Sequence, residues 1–324
     1  MPKSRTKQNS TVISLKDIRQ LLRSGEGARS LEVWGDRWSL LILRDAFLKV
    51  RRFEDFRRLS GAARGTLTTR LTLLVNQGML YRHSCGNTSS RFEYHLTDKG
   101  MAAYPVALAL WKWESQWAGE FGLPPILKHL TCGKKIHPEL VCAHCKKMII
   151  PNDISFEPGP GARTRKLSHT LINERRLRIN RSALAEGINT SIFHSIDTIG
   201  DRWSALLLAC FMFGLRRHDD LSATLGIATN ILSDRLQRLL SVGVISRTLY
   251  KERPPRHEYH LTTKGWDLYP FAIAIQDWGT TWLPNPSGPV IKMHHNVCGH
   301  ALRSNITCDK CHEILTPKTV IVKK

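Results

Sequence analysis

No stretch of this chain approaches the ~18 consecutive apolar residues of a membrane-spanning helix, and acidic side chains are scarce, with 27 Asp and Glu against 48 Lys and Arg. The first absence excludes a membrane-spanning helix. The second leaves a net charge of +21 at pH 7, which asks for a polyanionic partner, nucleic acid ahead of an anionic membrane surface. Residues 1–10 are polar and basic with no apolar core, so they do not read as a secretory signal. The expected location is the cytoplasm, with the nucleoid, where paired cysteines are reduced or metal-bound rather than disulfide-linked. The short motifs of common catalysis are missing too: there is no Gly-rich phosphate loop, no G-x-S-x-G and no H-E-x-x-H. His257-Glu258-Tyr259-His260 is one residue short of the last and falls on an expected strand. No enzyme is expected. Hydrophobic content of 42% suffices for packed cores and excludes a disordered chain.

What the chain has, it has twice. Gly35-Asp36-Arg37-Trp38-Ser39 recurs 165 residues later as Gly200-Asp201-Arg202-Trp203-Ser204. The same offset carries Arg51-Arg52 onto Arg216-Arg217, Glu93-Tyr94-His95-Leu96-Thr97 onto Glu258-Tyr259-His260-Leu261-Thr262, Tyr104-Pro105 onto Tyr269-Pro270, and Trp113 and Trp117 onto Trp278 and Trp282. A period this long is a duplicated domain rather than a solenoid.

Within the first copy a very apolar helix over 37–48 is expected to be buried. A short helix over 53–59 follows, broken at Ser60-Gly61. The next helix, over 63–77, has Leu67, Leu71 and Leu74 as its buried stripe and Gly78 where a C-terminal cap belongs. Two short helices about a glycine-containing turn read as a helix-turn-helix. The period then changes to two: 79–83 and 91–96 read as a β-hairpin, the wing of a winged helix. One long helix is expected over 98–118, kinked at Pro105. The second copy repeats the order, with helices over 202–213, 218–225 and 228–242, a hairpin over 244–261 with Pro254-Pro255 at its tip, and an aromatic helix ending near Trp282. An amphipathic piece with Ile13, Leu15, Ile18, Leu21 and Leu22 precedes the first copy, and is expected to pack on the first domain or on a partner.

These residues carry a family likeness. Gly-Asp-Arg-Trp-Ser, Arg-Arg-Phe-x-x-Phe, Leu-Thr-x-Arg-Leu and Arg-x-Glu-Tyr-x-Leu-Thr-x-x-Gly, in that order, resemble the HxlR-type winged-helix transcriptional regulators over roughly 28–120 and 193–284. The resemblance implies a DNA-binding regulator. Such regulators are usually single-domain chains that pair as homodimers, so two fused copies imply an intramolecular pseudo-dimer, either as a monomer or paired again. It also implies that the last long helix, with Trp113 and Trp117, helps to join the halves. Some members sense oxidants through a Cys just before the first helix. Ser24, Gly25 and Glu26 stand there in copy one and Thr190, Ser191 and Ile192 in copy two, so no thiol serves that role. Any small-molecule effector is left unidentified.

The helix starting at Ala63 is expected in the major groove, which admits a helix and exposes base edges to its N-terminal side chains. With the leucines inward, Arg64, Gly65, Thr68, Thr69 and Thr72 face out; Thr229, Asn230, Ser233, Asp234 and Gln237 are their counterparts. Arg64 suits guanine, Asn230 and Gln237 suit adenine, and Asp234 can accept from cytosine. Two unlike half-sites follow. Arg70 and Arg235, at the edge of the buried stripe, either clamp phosphate or pair with an internal carboxylate. Arg82, His83 and Arg91 on one wing, and Arg247, Lys251, Arg253 and Arg256 on the other, would reach phosphates or the minor groove.

Each copy ends in H-x2-C-x9-C-x2-C: His129, Cys132, Cys142 and Cys145, then His295, Cys298, Cys308 and Cys311. Two knuckles facing each other supply the four N/S donors of a tetrahedral Zn²⁺, and four protein ligands leave no open position, so two structural zinc sites per chain are expected. Redox-active C-x-x-C pairs and an iron–sulfur cluster are the alternatives. Cys210 reads as core, and Cys85 sits at the wing turn.

The expected architecture is mainly α with small β-hairpins (α+β): a basic arm over 1–27, winged helices over 28–122 and 187–286, each followed by a zinc-ribbon-like module (123–155 and 287–324), and a basic linker over 156–186. The expected function is sequence-specific binding of double-stranded DNA; the alternative is a protein–protein adaptor built from the same winged-helix and zinc modules.

Overall fold

The computed structural model describes residues 15–84, 92–118, 124–163 and 193–323. The first repeat runs α1 (Leu15–Ser24), α2 (Glu26–Trp34), α3 (Arg37–Phe47), α4 (Phe53–Ser60), α5 (Arg64–Asn76), β1 (Leu80–Ser84), β2 (Phe92–Leu96), α6 (Asp98–Met101), α7 (Tyr104–Trp117), β3 (Ile126–His129), β4 (Pro138–Cys142) and β5 (Ile154–Pro158). The second runs α8 (Phe193–Ile199), α9 (Arg202–Met212), α10 (His218–Leu225), α11 (Thr229–Ser241), β6 (Ile245–Lys251), β7 (Arg256–Leu261), α12 (Thr263–Trp266), α13 (Tyr269–Trp282), β8 (Ile291–His295), β9 (His300–Ala301), β10 (Ser304–Cys308) and β11 (Val320–Lys323). Helices build the body, and β1–β2 and β6–β7 form the two wing hairpins.

The repeated pentapeptide is a helix-starting device. Asp36 caps α3, its Oδ1 accepting from the backbone N–H of Trp38 and Ser39 at 3.0 and 3.1 Å. Asp201 does the same for α9 through Trp203 and Ser204 at 3.1 Å each, and the Ser204 hydroxyl donates back to its other oxygen at 2.6 Å. Such a cap satisfies donors that a helix start leaves unpaired. It also joins the halves, because Asp36 and Asp201 form an antiparallel β-bridge with each other. The arginines beside them reach across: Arg37 pairs with Asp197 at 3.1 Å and Arg202 with Glu32 at 3.0 Å. Asp197 stands 165 residues after Glu32, so the two ion pairs are one contact made in both directions.

The same reciprocity governs the aromatic helices. Trp113 Nε1 donates to the Lys264 carbonyl at 2.8 Å, and Trp278 Nε1 to the Lys99 carbonyl at 3.0 Å. Each lysine lies over the ring that its own carbonyl holds, with Nζ 5.2 Å from the Trp113 centroid for Lys264 and 5.6 Å from that of Trp278 for Lys99. α13 packs on α2 and α7, and α7 on α8. Most of the buried side chains of the two repeats therefore belong to one continuous apolar core.

Two buried carboxylates stitch across the same boundary. Glu26 accepts from the N–H of Val290 at 2.8 Å and from Gln276 Nε2 at 3.1 Å. Glu114 accepts from the N–H of Ser195 at 3.1 Å and from its hydroxyl at 2.9 Å. Burial pushes the Glu114 carboxyl above the usual carboxylate range.

Three expectations need correction. The single kinked helix over 98–118 is two helices: α6 ends at Met101, and Pro105 sits in the first turn of α7, where its missing N–H costs nothing. The N-terminal piece, α1, packs on the second repeat as well as on α2, lying against α10 with Arg23 donating to the Ala223 carbonyl at 2.9 Å. The two tails are not separate modules at all. β3 pairs antiparallel with β11, β4 with β10 and β5 with β8, so each tail sheet takes strands from both repeats. The basic linker beyond residue 163 lies outside the described residues, as do Thr190, Ser191 and Ile192.

Candidate nucleic-acid interface and metal centres

In each repeat the helix-turn-helix is set by one left-handed glycine. Gly61 (φ 69°) ends α4 and Gly226 (φ 66°) ends α10, their N–H groups closing on the carbonyls of Arg57 at 3.0 Å and Ser222 at 2.8 Å. The next helix then presents one stripe to the core. Leu67, Leu71 and Leu74 of α5 and Leu232, Leu236 and Leu239 of α11 are buried. Geometry puts the expected reading residues on the other side: Arg64, Gly65, Thr68, Thr69, Thr229, Asn230, Ser233, Asp234 and Gln237 are exposed, and Thr72 is half-buried.

Several of these are already engaged. Arg64 bonds Glu54 at 2.5 Å and lies over the Phe53 ring. Hydrogen bonds from Arg57 and Arg64 hold the Glu54 carboxyl below its ordinary range. Thr68 and Thr69 donate their hydroxyl protons to the Arg64 and Gly65 carbonyls at 2.9 Å each, which leaves a methyl group and oxygen lone pairs facing outward. Nothing lies within 4 Å of where a Cβ on Gly65 would stand.

Arg70 and Arg235 turn inward. Arg70 Nε lies 3.4 Å from Asp36, and the buried Arg235 donates to Asp201 at 3.0 Å and to Asp234. Of the two roles their position at the stripe's edge left open, the internal carboxylate is the one realised, because the helix-capping aspartates lie directly behind the reading helices. On the wings Arg82, His83, Arg247, Lys251, Arg253 and Arg256 are exposed; Arg82 stacks over Phe92 and Tyr94, and Arg256 reaches Asp219 at 3.4 Å. Arg91 and Cys85 lie outside the described residues.

All eight expected metal ligands converge, but in crossed groups. His129 and Cys132 meet Cys308 and Cys311, while Cys142 and Cys145 meet His295 and Cys298. The expected grouping within each copy is thus corrected. The reason is the strand between the knuckles: β4 is extended at ~3.4 Å per residue, and it carries Cys142 away from Cys132. Antiparallel pairing sets Pro138 opposite Cys308 and Cys142 opposite Ser304, which delivers the other repeat's knuckle to each vacant side. Turns fix the knuckles. Gly133 and Gly299 (φ 69° and 73°) close the His-x2-Cys pairs, and Lys146 and His312 (φ 62° each) close the Cys-x2-Cys pairs.

Donor spacing suits a tetrahedral ion. Cys132 Sγ lies 3.9 Å from Cys308 Sγ and 3.5 Å from His129 Nδ1, and Cys311 Sγ lies 3.3 Å from the same nitrogen. In the second centre Cys142 and Cys298 sulfurs are 3.9 Å apart, and Cys145 and Cys298 each lie 3.4 Å from His295 Nδ1. Bonds of ~2.3 Å to sulfur and ~2.0 Å to nitrogen give tetrahedral edges of about 3.8 and about 3.5 Å, whereas a disulfide would need ~2.05 Å. Both imidazoles are fully buried with Nδ1 toward the thiols. The backbone N–H groups of Lys134 and Lys147 hold the Cys132 and Cys145 thiols below their ordinary range, and burial pushes Cys308 up to about 11. An ion must therefore displace protons to bind.

The HxlR-like helix-turn-helix family model matches residues 33–121 and again 198–287. This chain belongs to the HxlR-like family. Among its relatives is an uncharacterized HTH-type transcriptional regulator of Mycobacterium tuberculosis (strain ATCC 25618 / H37Rv), 38% identical over 130 residues, which are 40% of this chain and 82% of that one. Similar regulators occur in Synechocystis, 39% identical over 97 residues (30% of this chain, 72% of that one), and in Bacillus subtilis as YvaP, 36% identical over 90 residues (28% and 83%). Each match spans most of the relative but less than half of this chain, so an HxlR-like unit is present twice. The family and these relatives are helix-turn-helix regulators, not enzymes. All eight candidate metal ligands fall outside the two matched regions. Among the described residues no helix is long and apolar enough to cross a membrane.

Proposed function

We propose that this HxlR-like chain is a transcriptional regulator that reads double-stranded DNA sequence-specifically. Its two winged helices act together as an intramolecular pseudo-dimer on two unlike half-sites. The observation that carries this reading is the pair of reading faces: equivalent in position, exposed, unlike in residue, and joined by contacts made in both directions. A net charge of +21 and the exposed wing cations supply affinity for phosphate, and the relatives' description as HTH-type transcriptional regulators supports the same conclusion. Zinc is proposed for both centres, since one imidazole and three thiolates make a closed structural set for that ion. Cobalt substitution should give the absorption of a tetrahedral thiolate site.

The test is selection of bound duplexes from a random pool. The expected product holds two unlike half-sites about one helical turn (~34–36 Å) or a multiple apart. A single uninterrupted half-site would contradict the pseudo-dimer. Binding should also fall steeply with salt.

A narrower prediction concerns Gly65, whose counterpart is Asn230. Because its Cβ direction is empty, Gly65→Asn should leave the thermal midpoint nearly unchanged. In the same selection it should add an adenine preference at one base pair of the first half-site, worth ~1–3 kcal/mol. Unchanged base preferences would mean that this position does not face the groove.

A further inference from the structure

The two repeats differ in the space their cores leave. Between α1, α2, α9, α13 and strands β5 and β8 lies a cavity of about 600 Å³. Its wall is largely apolar, with Leu22, Leu31, Leu206, Met212, Ile273 and Met293 contributing; Asn152 and Gln276 are polar, and no charged side chain lines it. The equivalent place in the first repeat, beside Tyr104, Leu108 and Val320, holds a space of only about 250 Å³. Two substitutions between the copies contribute to the difference. Arg44 and Trp111 of the first repeat are both buried against their own walls, Trp111 donating to the Pro125 carbonyl at 3.0 Å. Their counterparts 165 residues on are Ala209 and Gln276. Gln276 is drawn back to the cavity wall, its amide accepting from the Gly27 N–H at 2.7 Å and donating to Glu26 at 3.1 Å.

A space of this size with an apolar lining is what small-molecule sites look like, and left empty it would cost the packing that the first repeat retains. One polar group of this wall is left to a ligand: the buried Tyr269 hydroxyl has no hydrogen-bond partner among the described residues. We propose that the second repeat's cavity is a binding site for an uncharged, largely aromatic or alicyclic small molecule carrying at most one hydrogen-bonding group. Charged ligands are disfavoured because nothing in the wall would replace their hydration.

An occupant would touch every element needed to influence the reading head. α9, which supplies Leu206, Ala209 and Met212, packs on α11; α1, which supplies Leu22, packs on α10; and Met293 stands two residues before the metal ligand His295. Coupling of this site to DNA affinity rests on the proposed function, whereas binding itself does not.

The test is a fluorescence titration of the full-length, metal-loaded chain with the uncharged probe N-phenyl-1-naphthylamine. The expected result is saturable binding of one probe per chain. Ala209→Trp and Ala272→Phe, which fill the cavity from two walls, should each weaken binding at least roughly tenfold at an unchanged or raised thermal midpoint. Ala107→Phe, the first-repeat counterpart of the second variant, should leave binding intact. No saturable binding to the intact chain, or filled and folded variants that bind as tightly as it does, would overturn the site. The duplex selected above, titrated with and without probe, separates the two readings. A chain that binds probe but no duplex keeps the site and overturns the regulator; one that binds duplex but no probe overturns the site.

Discussion

Replacing Trp113 by Ala is expected to destabilise the protein by about 3–5 kcal/mol, the range for removing a buried tryptophan. The side chain is 1% exposed, its ring stacks on His194 with centroids 5.3 Å apart, and its N–H serves the Lys264 carbonyl of the other repeat. The loss therefore falls on the boundary between the repeats. Because the contact is reciprocal, Trp278→Ala should cost a similar amount, with Lys99 losing what Lys264 loses in the first case. Trp113→Phe keeps most of the buried area and should cost less, the hydrogen bond contributing about 1 kcal/mol. Urea unfolding followed by far-UV circular dichroism measures all three. A Trp113→Ala loss below about 1 kcal/mol would mean that the repeats are held together elsewhere.

Metal removal is the second large effect. Structural zinc contributes roughly 10–16 kcal/mol of apparent binding free energy to zinc-finger peptides, and here the turns that carry the donors stand at the ends of the paired tail strands β3, β4 and β10. Chelation should lower the apparent unfolding free energy by several kcal/mol and release both ions. The loss should concentrate in β3, β4, β10 and β11, which hydrogen exchange can follow strand by strand. α2, α7 and α13 carry none of the eight candidate ligands and should keep their protection. If the tail strands exchange no faster after chelation, the ions are not what holds them.

How much of this was legible in the sequence depends on the range of the interaction. Helix α5 and its exposed face were legible because the leucine stripe at positions 67, 71 and 74 repeats at helical spacing and decides which residues face out. Arg70 and Arg235 lay at the edge of that stripe, where periodicity cannot choose a side; the deciding partners, Asp36 and Asp201, are 34 residues away in the chain. All eight members of the two His/Cys groups were legible as candidate ligands because the pattern is written twice. Their grouping was not, since an x9 spacing is compatible with folding back or with running on, and only the β4–β10 pairing decides it. Pro105 was legible as a helix perturbation but not as a helix start, because a short α6 before it has no periodicity of its own. The cavity was missed although its signal was present: Trp111 against Gln276 and Arg44 against Ala209 are visible once the copies are aligned.

Neither repeat alone supplies the four donors of either His/Cys group, so an ion bound at each would lock the two winged-helix units into one body. The most direct measurement counts ions per purified chain, by mass spectrometry under native conditions, in two double variants. The unsubstituted chain should hold one ion in each of its two four-donor groups. Cys132→Ser with Cys308→Ser strikes one centre twice and should leave one ion, whereas Cys132→Ser with Cys142→Ser strikes both centres and should leave none. One ion in the second variant and none in the first would mean that each repeat binds its own metal, and the shared lock would not exist.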